Sequence, residues 1–393
     1  ALGFSTSRTL NHRTRAGEPT PTLTAEEDEL TGIAMGLAAA DGGRGAGVLQ
    51  LVSDFRPDPA TEFAMFRRIV EKSGRPLSFS LAQSHAAPDS YRILLDALTD
   101  AVDAGLPMKA QVSARAVGVL FGLDLTLNPF SGHETYKAIA HLPIEEQVAA
   151  MRDEAFRARL FAEIPNPRDP FAGANLTNWT GMYPLATEQP DYEPTQDRTI
   201  AALAASQDRD PKAIALDHML SNNGRGLLYL PFLSYGYGSL DASHEMLLHR
   251  DTVPGLSDGG AHVGMICDGS FPTFNLTHWT RDRTRGPKLA LEAMIAMQTR
   301  GTAETVGLMD RGLVQPGYRA DLNVIDFDAL DLEPPQVAYD LPAGGRRLIQ
   351  KARGYVATLV AGQVTYRNGT PTGALPGRLV RGGKTAPAAL AAE

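Results

Sequence analysis

An α/β fold is the class that the sequence predicts, and three observations predict it. Apolar, strand-like runs at 48–53, 76–81 and 108–112 begin about thirty residues apart, the length of one βαβ unit. Segments with helical apolar spacing lie between them, and right-handed crossovers wind such units into a parallel sheet or a barrel. Beyond residue 306 the texture changes to short β runs, which adds a small β segment.

In chain order, residues 1–7 read as a short buried strand, and the loop 8–23 carries His12, Arg13 and Arg15. Thr24 to Glu27 has the form of a capping box, and Leu30, Ile33 and Leu37 give the helix after it an apolar face. The glycine-rich 42–47 ends that helix. The strand 48–53 ends at Asp54, and Phe63, Phe66 and Val70 line the next helix. The strand 76–81 ends near Gln83 and His85; helix 89–104 buries Leu94, Leu95, Leu98 and Val102, with Gly105 at its end. The strand 108–112 carries Gln111 and ends near Ser113 and Arg115.

Residues 120–225 break the rhythm. They read as a long helical insertion with helices at 144–160 and 200–222, and a Pro-, Asn- and Trp-containing stretch at 164–195 between them. Such decoration of βα loops is where substrate-selecting structure is commonly built. A buried strand at 227–233 and a helix at 243–249 lead to Leu256-Ser257-Asp258-Gly259-Gly260-Ala261-His262. Helix 289–298 turns Leu291, Met294 and Ile295 inward, and the runs 355–360 and 363–367 form a hairpin across Ala361-Gly362. The division predicted is 1–306, 307–375 for the β segment, and a peripheral tail at 376–393.

Bulk properties exclude several classes. The 393 residues are 43% hydrophobic and 21% charged, ordinary values for a globular chain. A net charge of −8 argues against nucleic acid or an anionic membrane as the main partner. No apolar run is long enough to span a bilayer. The one cysteine, Cys267, excludes an internal disulfide and fits a reducing, cytoplasmic compartment. The opening residues read like the inside of a domain, so the chain is expected to be a piece of a longer protein.

Asp258 organises the reading. A short apolar run ends, an acid follows, and two glycines permit a sharp turn. That places a carboxylate at the carboxyl end of a strand, where βα barrels carry their chemistry; an acid in a tight turn is the plainer alternative. His262, four residues on, either holds substrate or orders the loop. Arg115 either grips a substrate carboxylate bidentately or forms a salt bridge at the mouth. Gln111 either contacts substrate or is a polar group of the core. The cluster from His278 to Arg283 reads as a solvated charged face rather than a site, and His244 and His249 as structural. Cys267 reads as a buried apolar residue. Gly42-Gly43-Arg44-Gly45 precedes a strand, so it is not a phosphate loop.

Four segments resemble the amidohydrolase superfamily, specifically its D-aminoacylase (N-acyl-D-amino-acid deacylase) family. They are Ala1-Leu2-Gly3-Phe4-Ser5-Thr6; Ser257-Asp258-Gly259; Thr302 to Leu322 with its Gly317-Tyr318-Arg319-Ala320-Asp321-Leu322; and Val360-Ala361-Gly362-Gln363-Val364 with the Gly369-Thr370 and Thr372-Gly373 that follow. The third is the most specific. The resemblance implies a partial TIM-like (β/α)8 barrel with a small flanking β-sandwich. It also implies hydrolysis of an amide by a zinc-bound water, with Asp258 as metal ligand and proton carrier. The family's His-x-His pair and its Gly-Asn-Cys-Gly strand have no counterpart here, and its strand histidines align with Leu81 and with the vicinity of Asp54. His85, four positions past Leu81, is either the substitute ligand, if the strand bulges, or a loop histidine at the barrel mouth; the remaining ligands are expected before Ala1.

The implied substrate is a small N-acyl amino acid. A cyclic amide, or a non-catalytic barrel that binds ligands or a partner, are the alternatives; apolar loops in 120–235 also allow a homodimer.

Overall fold

The computed structural model describes residues 3–14, 17–40, 47–166, 173, 175–257 and 262–388. The βα rhythm is present. β1 (Gly3–Arg8), α1 (Glu27–Ala40), β2 (Val48–Ser53), α2 (Pro59–Ser73), β3 (Leu77–Leu81), α3 (Ser90–Asp103) and β4 (Met108–Ser113) alternate as predicted. Three more strands, β5 (Val117–Phe121), β6 (Tyr183–Leu185) and β7 (Leu227–Leu233), precede β8 (Thr252–Gly255). A five-stranded parallel sheet results, in the order β1-β2-β3-β4-β8. All five carboxyl ends therefore point the same way.

Alternation along the strands sorts the two faces. Leu49, Leu51, Leu77, Phe79, Leu81, Met108, Ala110 and Val112 are buried in one cluster with Phe63, Phe66, Leu94 and Leu98 of the helices. Phe79 meets Phe63 edge-on at 5.7 Å. The opposite face is polar. Register places Ser5 beside Gln50, Gln50 beside Ser78, and Ser80 beside Gln111. The Ser5 hydroxyl donates to Gln50, the Gln50 amide to Ser80 Oγ at 3.4 Å, and the Gln111 amide to Ser78 Oγ at 2.9 Å.

Local chemistry fixes the helix ends. Asp58 caps α2 by accepting from Thr61 N at 2.9 Å, with Pro59 in the first turn and Gly74 left-handed at the far end. Thr24 closes a short 3-10 turn instead of capping α1, which begins at Glu27. β1 is an edge strand, and its first residues are exposed rather than buried.

The insertion differs from its prediction in detail. The expected helix at 144–160 is two, Ile144–Arg152 and Glu154–Ala162, because Asp153 caps the second by accepting from Phe156 N. The helix at 200–222 also divides, into Ile200–Gln207 and Pro211–Gly224, between a left-handed Asp208 and the capping Asp210. The expected buried strand at 227–233 is β7. Among the described residues it pairs antiparallel, with β5 and β6. A second hydrophobic cluster, from Phe121 to Leu230, fills this region.

Past helix Leu291–Ala296, where Ile295 is exposed rather than inward, come β9 (Leu322–Ile325), β10 (Asp331–Leu332), β11 (Gln336–Leu341), β12 (Gly345–Ile349), β13 (Ala352–Arg353), β14 (Tyr355–Val360), β15 (Gln363–Arg367) and β16 (Thr370–Pro371). The predicted hairpin is β14–β15, and Ala361 and Gly362 both take positive φ at its turn. Asp321 explains part of the Ala-Asp-Leu motif. Its carboxylate accepts from Ala361 N and from Arg319, locking the hairpin turn to the start of β9. The tail is not wholly peripheral: Lys384 pairs with Gly307 and Met309 through the backbone. None of the described helices is long and apolar enough to cross a membrane.

Candidate active site

The candidate site is sought at the carboxyl ends of β1, β2, β3, β4 and β8, where the loops of a parallel sheet gather. Asp258 falls three residues beyond the end of β8, and with 259–261 it lies outside the described residues. Its neighbour Ser257 donates to Asp268 O at 3.2 Å, which folds the segment after β8 back on itself.

The loop after β1 is firmly held. Asp54, just past β2, accepts from the Thr9 hydroxyl at 2.5 Å and from Leu10 N at 2.8 Å. Thr9 Oγ1 in turn accepts from Asn11 N at 3.1 Å. These bonds fix the residues leading to His12, whose Nδ1 lies 2.6 Å from Ser7 Oγ. His262 stands close by, its ring centre 6.4 Å from that of His12. The segment after β8 thus meets the loop after β1, although these strands are the two edges of the sheet.

Arg115 goes elsewhere. It is 2% exposed, and its guanidinium lies 3.6 Å from the centre of the Tyr192 ring. It donates to Cys267 O at 2.9 Å and Ser270 Oγ at 3.2 Å, with Asp268 at 4.0 Å. Those contacts consume the fork that a substrate carboxylate was expected to meet, so Arg115 secures the loop after β8 to the insertion. Gln111 belongs to the polar sheet face, bonded to Ser78, with Gly255 leaving room for its stem. Ser113, fully buried at the end of β4, has a hydroxyl with no partner among the described residues.

His85 is placed at the carboxyl end of β3 but faces β7. Its Nε2 accepts from Tyr235 N at 3.2 Å, and burial pushes its pKa down. The ring is therefore neutral with the proton on Nδ1, and Nε2 is not offered to a metal. Among the described residues, no three of His, Cys, Asp or Glu gather as a metal-binding group. They do not by themselves fit the zinc ion that the resemblance implies. Burial pushes the Cys267 thiol up to about 11, as suits a neutral packed residue.

The stretch from His278 to Arg283 is solvated only in part: Arg281 pairs with an exposed Asp282, while Trp279 and Arg283 are sunk into the protein. Trp279 is 0% and Arg283 1% exposed. Glu193 of the insertion accepts from Leu240 N, His278 Nε2 and both Nε and Nη2 of Arg283, at 2.8 to 3.2 Å. Burial alone would raise the Glu193 pKa; the bonds from His278 and Arg283 overcome it and bring it down to about 2. Sequence reasoning missed this cluster because its acid lies 85 and 90 residues from its partners. The placing of His12 was missed for a similar reason, although an acid immediately after a strand, Asp54, was a readable signal.

A cavity of about 670 Å3 opens at the opposite end of the sheet, among Val48, Leu77, Met108 and Val253 at the strands' amino ends. In βα architectures that end serves stability rather than chemistry.

Two of the solved structures similar to the chain illustrate the likeness. One is a D-aminoacylase described as defining a novel subset of amidohydrolases, at 17% identity and a TM-score of 0.48, covering 91% of this chain and 59% of that one. The other is an L-hydantoinase (dihydropyrimidinase) from Arthrobacter aurescens, at 13% identity and a TM-score of 0.37, covering 97% and 67%. The chain thus spans about three fifths of the D-aminoacylase's length. No curated protein sequence matches it. The family model described as the amidohydrolase family matches residues 1–366, nearly the full length. On that match, the chain belongs to the amidohydrolase family.

Proposed function

We propose that the protein hydrolyses an amide C–N bond, and that its substrate is a small N-acyl amino acid. The observation that carries the reading is family membership over residues 1–366. The convergence of loops at one end of a parallel sheet supports it. Asp258 is the proposed proton carrier. A carboxylate there takes a proton from the attacking water as its oxygen bonds to the carbonyl carbon. It then returns that proton to the nitrogen as the C–N bond breaks, leaving a carboxylic acid and an amine. The polar sheet face and the half-buried groups around it bind the amide.

Amine release from a panel of N-acyl amino acids and cyclic amides, measured with and without added zinc, tests the reading. Asp258→Asn is expected to lower kcat by at least about a hundredfold. Full hydrolysis by that variant would end the role given to Asp258. Turnover confined to cyclic amides would replace the substrate class.

A further inference from the structure

A second cavity, of about 340 Å3, lies between the insertion and the late β segment. Its floor is apolar: Leu123 after β5, Leu185 of β6 and Leu227 of β7 are buried there, and Val337 of β11 closes one side. Two charged residues line it. Asp124 is already answered, since it accepts from the Tyr339 hydroxyl and has Arg346 Nη1 3.8 Å away. Arg225 is not. Its exposed guanidinium makes no hydrogen bond or ion pair among the described residues. The backbone is bent to bring it there. Asn222, Asn223 and Gly224 take positive φ in succession, at 48°, 54° and 84°. Two non-glycine residues in that region cost free energy that the surrounding structure must hold. Gly224 is required as well, because a Cβ there would come within 2.5 Å of Val148. The result is a sharp turn at the end of helix Pro211–Gly224 that leaves Asn222 and Arg225 both lining the cavity.

We infer that this cavity binds a small organic monocarboxylate with a short apolar body. Arg225 holds the carboxylate as a bidentate pair, and the apolar body lies on Leu123, Leu185 and Leu227. Thr187 and Gln336, also on the cavity, supply further donors at its rim. Charge sets the class. One open cation, with the Asp124 carboxylate on the same cavity, favours a single negative charge over a dianion. Size sets the body: the volume is at the small end for ligand sites, which suits a chain of about six carbons. Position agrees, since the junction of two parts of a molecule is a common place for such sites. The cavity shares no lining residue with the loops after β1, β2, β3, β4 or β8. The inference therefore does not rest on the amide hydrolysis proposed above.

Hexanoate, hexylamine and inorganic phosphate, titrated into the full chain and followed by calorimetry and by NMR of leucine methyl groups, test this. Hexanoate is expected to bind saturably below about 10 mM and to shift the methyl signals of Leu123, Leu185 and Leu227. Hexylamine has the same body and the wrong charge, and phosphate has charge without a body; each is expected to bind at least about tenfold more weakly. Arg225→Ala takes no partner from the fold and is expected to weaken hexanoate at least about tenfold. Arg225→Lys keeps the charge but loses the fork, and a loss of about threefold is expected. Ala186→Phe fills the cavity with Arg225 in place and is expected to match Arg225→Ala; should it fail to fold, the Arg225 variants decide alone. Equal affinity of Arg225→Ala and the unaltered protein for hexanoate overturns the inference. Phosphate binding as tightly as hexanoate also overturns it, because Arg225 would then be a bare anion contact. So does the absence of saturable hexanoate binding up to about 10 mM.

Discussion

Two clusters of acid and histidine in this protein use the same side chains for opposite ends. Between the insertion and helix Phe271–Thr277, with the π-helical turn that follows it, Glu193 and Arg283 are buried and His278 is largely covered. Every acceptor position of that carboxylate which the structure describes is answered by a donor on the protein. At the carboxyl ends of the strands, Asp54 spends its oxygens on the loop after β1, and the histidine it presents, His12, is half-buried. The difference is solvent. A charge withdrawn from water must be matched inside the protein, and it then holds structure together. A polar group that stays at the water's edge, with its orientation fixed, remains able to meet a ligand.

The largest effect is expected from breaking the sealed cluster. Glu193→Gln leaves the buried Arg283 guanidinium with only Asp241 as counter-charge. A loss of about 3–5 kcal/mol is expected in urea unfolding. A loss below about 1 kcal/mol would show that water reaches the cluster.

Acid reads the same cluster more gently. The Glu193 carboxyl titrates near 2 in the folded protein and near 4.5 when unfolded. Because the folded value is the lower one, its stabilisation is complete above about pH 5 and drains away as pH falls from there towards 2. About 3 kcal/mol of stability is expected to go in that window. In Glu193→Gln, this part of the acid dependence is expected to vanish.

The smallest effect on stability, and the one that sharpens the contrast, belongs to Asp54→Asn. The variant keeps an acceptor for Leu10 N and weakens the bond from Thr9, costing about 1 kcal/mol. The loop after β1 is expected to loosen, read as faster backbone amide exchange at Leu10 and Asn11. Unchanged exchange at those amides would show that Asp54 does not hold the loop.

Much of the fold was readable from residue order. Strands β2, β3 and β4, their helices, the β14–β15 hairpin and the helical insertion follow from apolar spacing and turn residues, which act over a few positions. The candidate site was readable only in part. His262 was legible along the chain because it follows a strand, an acid and two glycines, and the structure brings it to the carboxyl end of the sheet; Asp258 lies outside the described residues. Arg115 was open between a substrate carboxylate and a salt bridge at the mouth; Tyr192, 77 positions away in sequence, claims its guanidinium, with Asp268 at 4.0 Å. His85 was open between a metal and a place in the loop at the mouth; the end of β7 turns Nε2 towards a backbone amide. In each case the deciding partner is remote in the chain.

By itself, then, the sequence determined the parallel βα succession, the late β segment and the family to which the chain belongs. Periodicity, capping and short motifs are local, and each residue's own chemistry expresses them. Only the tertiary structure decided which polar groups are sealed and which stay at the mouth. It buried Arg283 against Glu193, sank Arg115 under Tyr192, and brought His12 and His262 together from the sheet's two edges. Burial and partner are properties of contacts between distant segments, and the cost of removing a charge from water is set only when those segments close over it.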